Sequence, residues 1–198
     1  MKPSAKRTLI VVMIIIVALL LGIAIDFVWD AIEKAAHPYD YYEYINKYSY
    51  EYNIPEPVIY AVIKVESGFD ANAESSVGAC GLMKIMPKTF EWLTGDEHLG
   101  EHLENDMLFD PETNIRYGTY YLNYLYEKFD RNMDTALAAY NGGEGNVAKW
   151  LNNPEYSDGN GNLTDIPFKE TKNYVSKVNN EIDTYQKLYY DQDEVKKP

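Results

Sequence analysis

The chain has 198 residues, of which 46% are hydrophobic and 14% aromatic, which is enough for one domain with a real core and an additional segment. Its formal net charge of −13 argues against a nucleic-acid partner, because such a partner favours a basic face. Cys80 is the only cysteine, so an internal disulfide is excluded and packing must stabilise the fold.

The N-terminus carries the pattern of a membrane anchor. Basic residues at positions 2, 6 and 7 precede an uncharged apolar run over 9–25, which Asp26 closes. At roughly 1.5 Å per residue, such a helix nearly spans a bilayer core of about 30 Å. A cleaved signal peptide is the alternative, but the run is long and no clear small-x-small cleavage site follows it. We therefore expect residues 8–25 to form an uncleaved transmembrane signal anchor.

The basic residues also predict the orientation of the chain. Positive charge before the span places residues 1–7 in the cytoplasm and everything after the span outside it. Residues 26–38 are expected to link the anchor to a domain over 39–188, and a polar tail over 189–198 follows. The expected location is the cell membrane, with a single pass and with the domain on the extracytoplasmic side.

The first part of the domain is crowded with tyrosines. Tyr41, Ile45, Tyr48 and Tyr52 have the spacing of one helical face. Tyrosine rings can stack on sugars, but a helix that packs this aromatic stripe against the domain core is the preferred interpretation.

A short apolar helix follows and ends near a carboxylate. Pro55 and Pro57 suit a first helical turn and Gly68 suits a left-handed helix end, so the helix is predicted over 57–67. On a wheel of 100° per residue, Glu66 falls on the apolar side of this helix.

The position of Glu66 should change its acidity. Partial burial and the negative pole of the helix dipole both disfavour the charged carboxylate, so its pKa is expected to be raised. A glutamic acid that keeps its proton near neutral pH is what general-acid cleavage of a glycosidic bond requires. A glutamate that merely caps or pairs at a helix end is the alternative. Tyr60 and Lys64 fall on the other side of the wheel.

The segment after this helix is predicted to be a loop and a short extended piece. Small and polar residues over 71–81 indicate a loop with turns at Gly78 and Gly81, which lets backbone groups approach a ligand closely. Residues 82–86 are then expected to be extended and could complete a short hairpin after Gly78. Pro87 is predicted to open the next helix.

Capping signals predict the remaining helices. Asp110 and Pro111 indicate a helix start, and the pattern carries this helix to about Phe129. Asp134 is expected to cap a helix over 135–140. A last helix follows the proline at position 167, with one side formed by Glu170, Tyr174, Val178 and Tyr185.

Two patterns invite comparison with metal sites, and both lack essential residues. His98 and His102 have helical spacing, but Gly100 lies between them and the order is not the His-Glu-x-x-His pattern. The loop that begins at Asp158 lacks both the glycine and the final bidentate carboxylate of a calcium loop. A solvated loop and a glycine-asparagine turn are the preferred interpretations, so we expect no metal site.

Several separated motifs resemble one enzyme family. They are ESGF at 66–69, SSVGACGLMKIMP at 75–87, AAYNGG at 138–143 and ETxxYV at 170–175. In order and spacing these motifs resemble the Slt-type lytic transglycosylases, which are lysozyme-like enzymes that cut the glycan of peptidoglycan. The resemblance covers about residues 39–188.

The resemblance implies a fold and a set of site residues. The fold would be mainly α, a lysozyme-like helical domain with a substrate cleft, preceded here by the N-terminal transmembrane helix. Glu66 would be the catalytic acid. The implied substrate-binding residues are Ser75, Lys84, Met86, Tyr140, Asn141, Glu170 and Tyr174, and the implied scaffold residues are Asn114, Ile115 and Gly118. The family most often has glutamine at position 84, and an ammonium there can only donate hydrogen bonds.

The resemblance also implies a chemistry that needs one carboxylate. Ordinary glycosidases use two. Here Glu66 would protonate the oxygen that links N-acetylmuramic acid to N-acetylglucosamine, and it would then deprotonate the muramyl C6 hydroxyl, which closes a 1,6-anhydro ring. The implied partners are peptidoglycan glycan strands, and neither a metal nor an organic cofactor is required.

Two alternatives remain open at this point. One is hydrolysis on the same scaffold, as in goose-type lysozymes. The other is a membrane-anchored protein whose groove binds cell-wall glycan without cutting it, and Lys84 is the sequence feature that favours it.

Overall fold

The computed structural model describes residues 3–191, with side chains from residue 6, and these residues form two compact units divided after Pro38. The first unit is one helix, α1, Pro3–Ala36. Its segment Lys6–Ala36 is long and apolar enough to cross a membrane by length and composition. The helix continues through most of 26–38, the residues assigned to a linker, and the predicted domain limits stay predictions.

The second unit is built from helices. They are α2 (Tyr42–Tyr52), α3 (Glu56–Glu66), α4 (Pro87–Thr94), a 3-10 helix (Asn105–Phe109), α5 (Pro111–Lys128), α6 (Met133–Gly142), α7 (Glu144–Leu151), α8 (Lys169–Tyr185) and a π-helical turn (Gln186–Tyr190). Among the described residues only isolated β-bridges accompany these helices. The mainly α fold predicted from the sequence is confirmed.

Helix α3 lies at the centre of the unit. It packs against α8 and α2, while α5 packs against α2 and α6. Its residues 57–63 are all buried, because neighbouring helices cover it on several sides. The wheel therefore placed Tyr60 wrongly: its side chain is fully buried and stacks on Tyr185, with ring centroids 5.2 Å apart.

Side-chain caps explain where α5 and α6 begin. The carboxylate of Asp110 accepts a hydrogen bond from the Thr113 N–H at 2.8 Å, so the predicted start of α5 is confirmed. The predicted start of α6 is wrong. Asn132 caps this helix through the Thr135 N–H at 3.0 Å, and Asp134 lies inside the first turn, where its carboxylate accepts from Asn179.

Helix α2 buries the predicted aromatic stripe with one exception. Ile45, Tyr48 and Tyr52 are buried against the core. Tyr41 instead precedes the helix as its N-cap residue, with a left-handed φ of 60°.

A network of tyrosines joins Tyr39, the first residue of the second unit, to the π-helical turn that follows α8. The hydroxyl oxygens of Tyr39 and Tyr190 are 3.2 Å apart, and both hydroxyls donate to the Glu56 carboxylate at the start of α3. The Tyr39 ring also stacks on Tyr60 and Tyr189, with centroids 4.6 and 4.4 Å away. The π-helical turn after α8 is thereby fixed to the segment that leads into α2.

Candidate active site

Glu66 is the last residue of α3, and its carboxyl lies beside the tyrosines of α6 and α8. The helix ends there because Gly68, at φ +63°, turns the backbone and donates to the carbonyl of Ile63 at 3.1 Å. Burial raises the pKa of Glu66 to about 7, although the Tyr174 hydroxyl and the Lys84 charge both act to lower it. Glu66 can therefore hold a proton near neutral pH.

Tyr174 on α8 forms one wall of this site. Its side chain is only 7% exposed, because the inner face of α8 packs on α3. The hydroxyl approaches the Glu66 carboxyl and interacts with it, although the two groups fall outside regular hydrogen-bond geometry. Burial first, and then the charge of Glu66, keeps the pKa of Tyr174 well above its ordinary value, so the phenol stays protonated.

Tyr140 on α6 also lies near Glu66. Its hydroxyl donates to the backbone carbonyl of Met83 at 2.8 Å, and its ring packs on that of Tyr121 with centroids 5.4 Å apart. Burial and the nearby charge of Glu66 raise the pKa of Tyr140 well above its ordinary value. A neutral phenol is thus fixed close to the acid.

The turn that carries Met83 is held by a buried amide. The side chain of Asn114 accepts from the Met83 N–H at 2.8 Å and donates to the carbonyls of Cys80 and Leu108 at 3.0 and 2.8 Å. The backbone of Cys80 also exchanges two hydrogen bonds with Ile85. Residues 81–84 consequently form a turn, so the extended piece predicted over 82–86 is wrong for 82–84. Ile85, which pairs with Cys80 in an antiparallel bridge, and Met86 are extended.

Two glycines leave room for this arrangement. A Cβ atom on Gly81, which has a φ of +81°, would lie 2.1 Å from the side-chain nitrogen of Asn114. A Cβ atom on Gly118 would lie 2.3 Å from the Met83 sulfur. Residues Asn114 and Gly118 therefore hold Met83 in place, and Met83 in turn orients Tyr140.

A cavity of about 180 Å³ opens next to Tyr140. Four of the predicted substrate-binding residues line it: Lys84, Met86, Tyr140 and Asn141. Thr89 and Tyr121 also line it, although the sequence motifs did not point to them. Their signal was weak, because Thr89 lies just past the end of the second motif and Tyr121 lies within an ordinary helical pattern.

Two predicted binding residues have other surroundings. Ser75 is half-buried, and its hydroxyl accepts from the Ala79 N–H at 2.9 Å within the loop before the Met83 turn. Glu170 lies in the first turn of α8 and is exposed. Neither of them lines the cavity beside Tyr140, and Tyr174 and Glu66 do not line it either.

Other acidic and histidine side chains near these motifs have local partners. The carboxylate of Asp70 accepts from the Asn72 N–H at 2.9 Å in a turn. His98 contacts the Tyr120 hydroxyl at 3.0 Å, whereas His102 contacts Asp96 at 2.8 Å. Among residues 3–191, no group of three or more His, Cys, Asp or Glu side chains is arranged to hold a metal ion.

Comparison with known proteins identifies relatives over most of this unit. Residues 43–162 match the family model "Transglycosylase SLT domain". The soluble lytic murein transglycosylase of Escherichia coli K12 is 37% identical over 151 residues, which are 76% of this chain and 23% of that protein. The membrane-bound lytic murein transglycosylase C of Photorhabdus laumondii is 31% identical over 190 residues, which are 85% of this chain and 51% of that protein.

Solved structures show the same likeness. The 70 kDa soluble lytic transglycosylase of E. coli superposes with a TM-score of 0.71 and 35% identity, over 78% of this chain and 25% of that one. An inactive glutamate-to-glutamine mutant of the lytic transglycosylase Slt from Pseudomonas aeruginosa gives 0.68 and 32%, over 77% and 25%. These neighbours confirm the predicted lysozyme-like fold and the resemblance stated from the motifs.

The chain spans about a quarter of the length of the soluble relatives and about half that of the membrane-bound one. The family model nevertheless covers more than half of this chain, and it includes Glu66, the Met83 turn and Tyr140. The chain therefore belongs to the transglycosylase SLT domain family.

Proposed function

We propose that this protein is a membrane-anchored lytic transglycosylase that cuts the β-1,4 bond between N-acetylmuramic acid and N-acetylglucosamine without consuming water. The observation that carries this proposal is the environment of Glu66, which is half-buried beside two neutral tyrosines with its pKa raised to about 7. Membership of the family supplies the substrate class, because relatives of this chain are named lytic murein transglycosylases.

In the first step Glu66 acts as a general acid. Its proton passes to the glycosidic oxygen as the bond from that oxygen to C1 breaks, and the N-acetylglucosamine part leaves as an alcohol. A carboxylic acid with a pKa of about 7 is protonated in about half of the molecules at neutral pH and is a stronger donor than water.

In the second step Glu66 acts as a base. The carboxylate takes the proton of the C6 hydroxyl of the same muramyl residue, and the C6 oxygen bonds to C1. The ring closes as a 1,6-anhydro sugar, so the acid regains its proton and no water enters the product.

Tyr140 is proposed to stabilise the positive charge that develops at C1. Its hydroxyl hydrogen points to the Met83 carbonyl at 2.8 Å, which leaves the lone pairs of the phenol oxygen free to face that charge. The substrate's own acetamido group can act with it. Tyr174, which approaches the Glu66 carboxyl, is proposed to position that group and to border the cleft.

The remaining binding roles are also proposals. Lys84, Met86 and Asn141 line the cavity beside Tyr140, which supports roles for them in holding a saccharide. Ser75 and Glu170 are assigned to substrate binding by resemblance alone.

The anchoring is proposed from α1. Its apolar segment can cross a membrane once, and relatives named membrane-bound are found among the matches. Basic residues before the span favour a cytoplasmic N-terminus. The domain over 39–188 would then face peptidoglycan on the extracytoplasmic side.

The decisive experiment is digestion of purified sacculi with the wild type and with Glu66→Gln, followed by mass spectrometry of the products. Release of 1,6-anhydro muropeptides by the wild type and their loss in the variant are expected. Reducing ends that carry one extra water would identify a hydrolase. Binding of sacculi without any release by either protein would identify a glycan-binding protein.

A further inference from the structure

The cleft beside Tyr140 extends along α4 into a second cavity. This cavity has a volume of about 370 Å³ and shares Thr89, Tyr121 and Gly143 with the first one. Because they share these residues, the two cavities adjoin. Together we call them the extended groove, which is lined by Lys84, Lys88, Trp92, Tyr121, Tyr140 and Gly143.

The charge of the extended groove differs from that of the rest of the molecule. Lys84 and Lys88 line it, and within residues 3–191 neither forms a salt bridge, although the charge of Lys84 acts on Glu66. The acidic side chain that lines it, Glu144, is paired with Lys128 at 3.0 Å. In a chain with a net charge of −13, the groove next to the candidate catalytic acid is therefore lined by two cationic side chains and one carboxylate that is already paired.

A helix terminus adds to this positive potential. Helix α7 begins at Gly143, which has a φ of +85° and provides no side-chain cap. Gly143 and Gly145 line the groove, so the positive end of this helix faces it. Two lysines without a salt bridge and a helix N-terminus without a side-chain cap, whose first-turn Glu144 is paired with Lys128, are features that favour an anion in this groove.

We propose that the extended groove binds a carboxylate of the glycan substrate, with Lys84 and Lys88 as its counter-ions, and so selects strands that carry this group in its free form. The inference rests on the proposed function. Peptidoglycan offers such a carboxylate from two sources. One is the lactyl ether of a muramic acid that has lost its stem peptide, and the other is a carboxylate of the stem itself.

Lys88→Gln is the most direct test, because Lys88 is exposed and is not among the groups that shift the pKa of Glu66. Lys149→Gln removes an exposed charge from α7 outside the groove and is the matched control. Both would be made in the full chain in detergent. Four substrates are compared: strands without stems and strands with stems, each with free carboxylates or with carboxylates converted to methylamides.

The wild type and Lys149→Gln are expected to show a KM about tenfold higher for the methylamide than for the free acid, because a charge-assisted contact is lost. In Lys88→Gln the ratio of these two KM values should fall to about twofold. The kcat should change little, because the contact stabilises the bound substrate and the transition state equally. Added salt should reduce the preference of the wild type. The strand type that shows the effect identifies the source of the carboxylate.

Equal KM values for free and amidated strands in the wild type would overturn the inference, as would an unchanged preference in Lys88→Gln. Failure of the proposed function is recognised separately, by the absence of anhydro products from every strand. The groove is then tested by equilibrium binding of labelled strands to Glu66→Gln with and without Lys88→Gln. A free-acid preference that the second substitution abolishes would support the groove, and its persistence would refute it.

Discussion

The proton on Glu66 is held by burial and not by a hydrogen-bonding partner. Burial is the largest influence on its pKa, and the two other influences, from Tyr174 and Lys84, both favour the charged form. This balance keeps the pKa at about 7. Deeper burial without these partners would give an acid too weak to release its proton, and greater exposure would give a carboxylate that is ionised before substrate arrives.

The pH dependence of cleavage follows from this balance. Because Glu66 must be protonated for the first step, activity should fall as the pH rises through about 7. Tyr174→Phe removes a group that lowers the pKa of Glu66, so the alkaline limb of its profile should move to higher pH. Release of soluble products from sacculi would be measured from pH 5 to pH 9, which extends roughly two pH units to each side of the Glu66 pKa of about 7.

Tyr50→Phe is the matched control, because that side chain is 92% exposed. Its profile should coincide with the wild type. An alkaline limb that stays in place in Tyr174→Phe would show that the tyrosine does not act on the proton of Glu66.

Stability should depend on the same carboxyl. The folded-state pKa is raised from 4.5 to about 7, so the folded protein binds more protons than the unfolded one between these values, and stability falls as the pH rises through this interval. Glu66→Gln removes the cost of burying a charge. Compared with the wild type, its free energy of unfolding should be similar below the unfolded pKa and higher by up to about 3 kcal/mol above pH 7.

Urea unfolding of the full chain in detergent, followed by tyrosine fluorescence at several pH values, would measure this difference. Glu97→Gln is the control, since this carboxyl is exposed and its substitution should leave the pH dependence of stability unchanged. A constant difference between Glu66→Gln and the wild type at all pH values would contradict burial as the cause.

At the scale of the element, the site depends on a turn and not on a strand. The side chain of Asn114, on α5, fixes residues 81–84 by a hydrogen bond to Met83. The Met83 carbonyl in turn accepts from the Tyr140 hydroxyl and so orients that side chain. Lys84 takes a left-handed φ of 45° at the end of this turn. Such a conformation is unfavourable for a residue other than glycine and persists because the surrounding hydrogen bonds impose it.

Asn114→Ala should therefore damage both stability and activity. The substitution removes three hydrogen bonds and leaves the Met83 N–H and the Leu108 carbonyl without this partner, whereas the Cys80 carbonyl keeps its bond from Ile85. Each buried group left without a partner costs about 1–3 kcal/mol. We expect a loss of about 3 kcal/mol or more in the free energy of unfolding and a large fall in kcat, because Tyr140 loses its oriented partner.

Asn152→Ala is the matched control, since its side chain is exposed and caps only the Ala148 carbonyl of α7. It should cost less than about 0.5 kcal/mol. Equal stability of both variants in chemical denaturation would show that the Met83 turn does not depend on Asn114.

Local patterns predicted the helices better than they predicted the site. Asp110 signals the start of α5 because an N-cap is a local feature, and the wheel placed Glu66 near apolar residues for the same reason. The helical wheel failed for Tyr60 because it assumes that only one face of a helix is buried, whereas neighbouring helices cover α3 on several sides. The extended piece expected over 82–86 fails at 82–84, because the Met83 N–H donates to Asn114, 31 positions later in the sequence, and this bond holds a turn there.

The walls of the site could be assigned only by resemblance. Nothing in the sequence near Tyr174 indicates that it approaches Glu66, which is 108 positions earlier, because that contact depends on how α8 packs on α3. The part of the groove formed by Thr89 and Trp92 was missed for a similar reason. Their helix, α4, was predicted, but the face that it turns to the cavity depends on α5 and α6.

At the scale of the whole molecule, the proposed anchor and the helical unit should be separable. The full chain should sediment with membranes after a wash at high salt, because α1 is apolar and not merely attracted by charge. A chain that starts at Tyr39, the first residue of the second unit, should move to the soluble fraction.

The sacculi should be digested before fractionation, so that binding to peptidoglycan is not mistaken for membrane insertion. Immunoblots of both fractions make the measurement. Recovery of the full chain in the soluble fraction would contradict the anchor, and would favour a cleaved signal peptide if its mass were reduced.

The tyrosine network at Glu56 bears on how such a unit can be used in larger proteins. Tyr39 is the first residue of the unit, and Tyr190 is the last residue of the π-helical turn. Their hydroxyl oxygens lie 3.2 Å apart, and both hydroxyls donate to Glu56. A domain in which the first and the last described segments lie close together tolerates insertion into a larger protein, or circular permutation, without disruption of its fold. This agrees with the relatives, in which the part that matches this chain makes up about a quarter to a half of the whole protein.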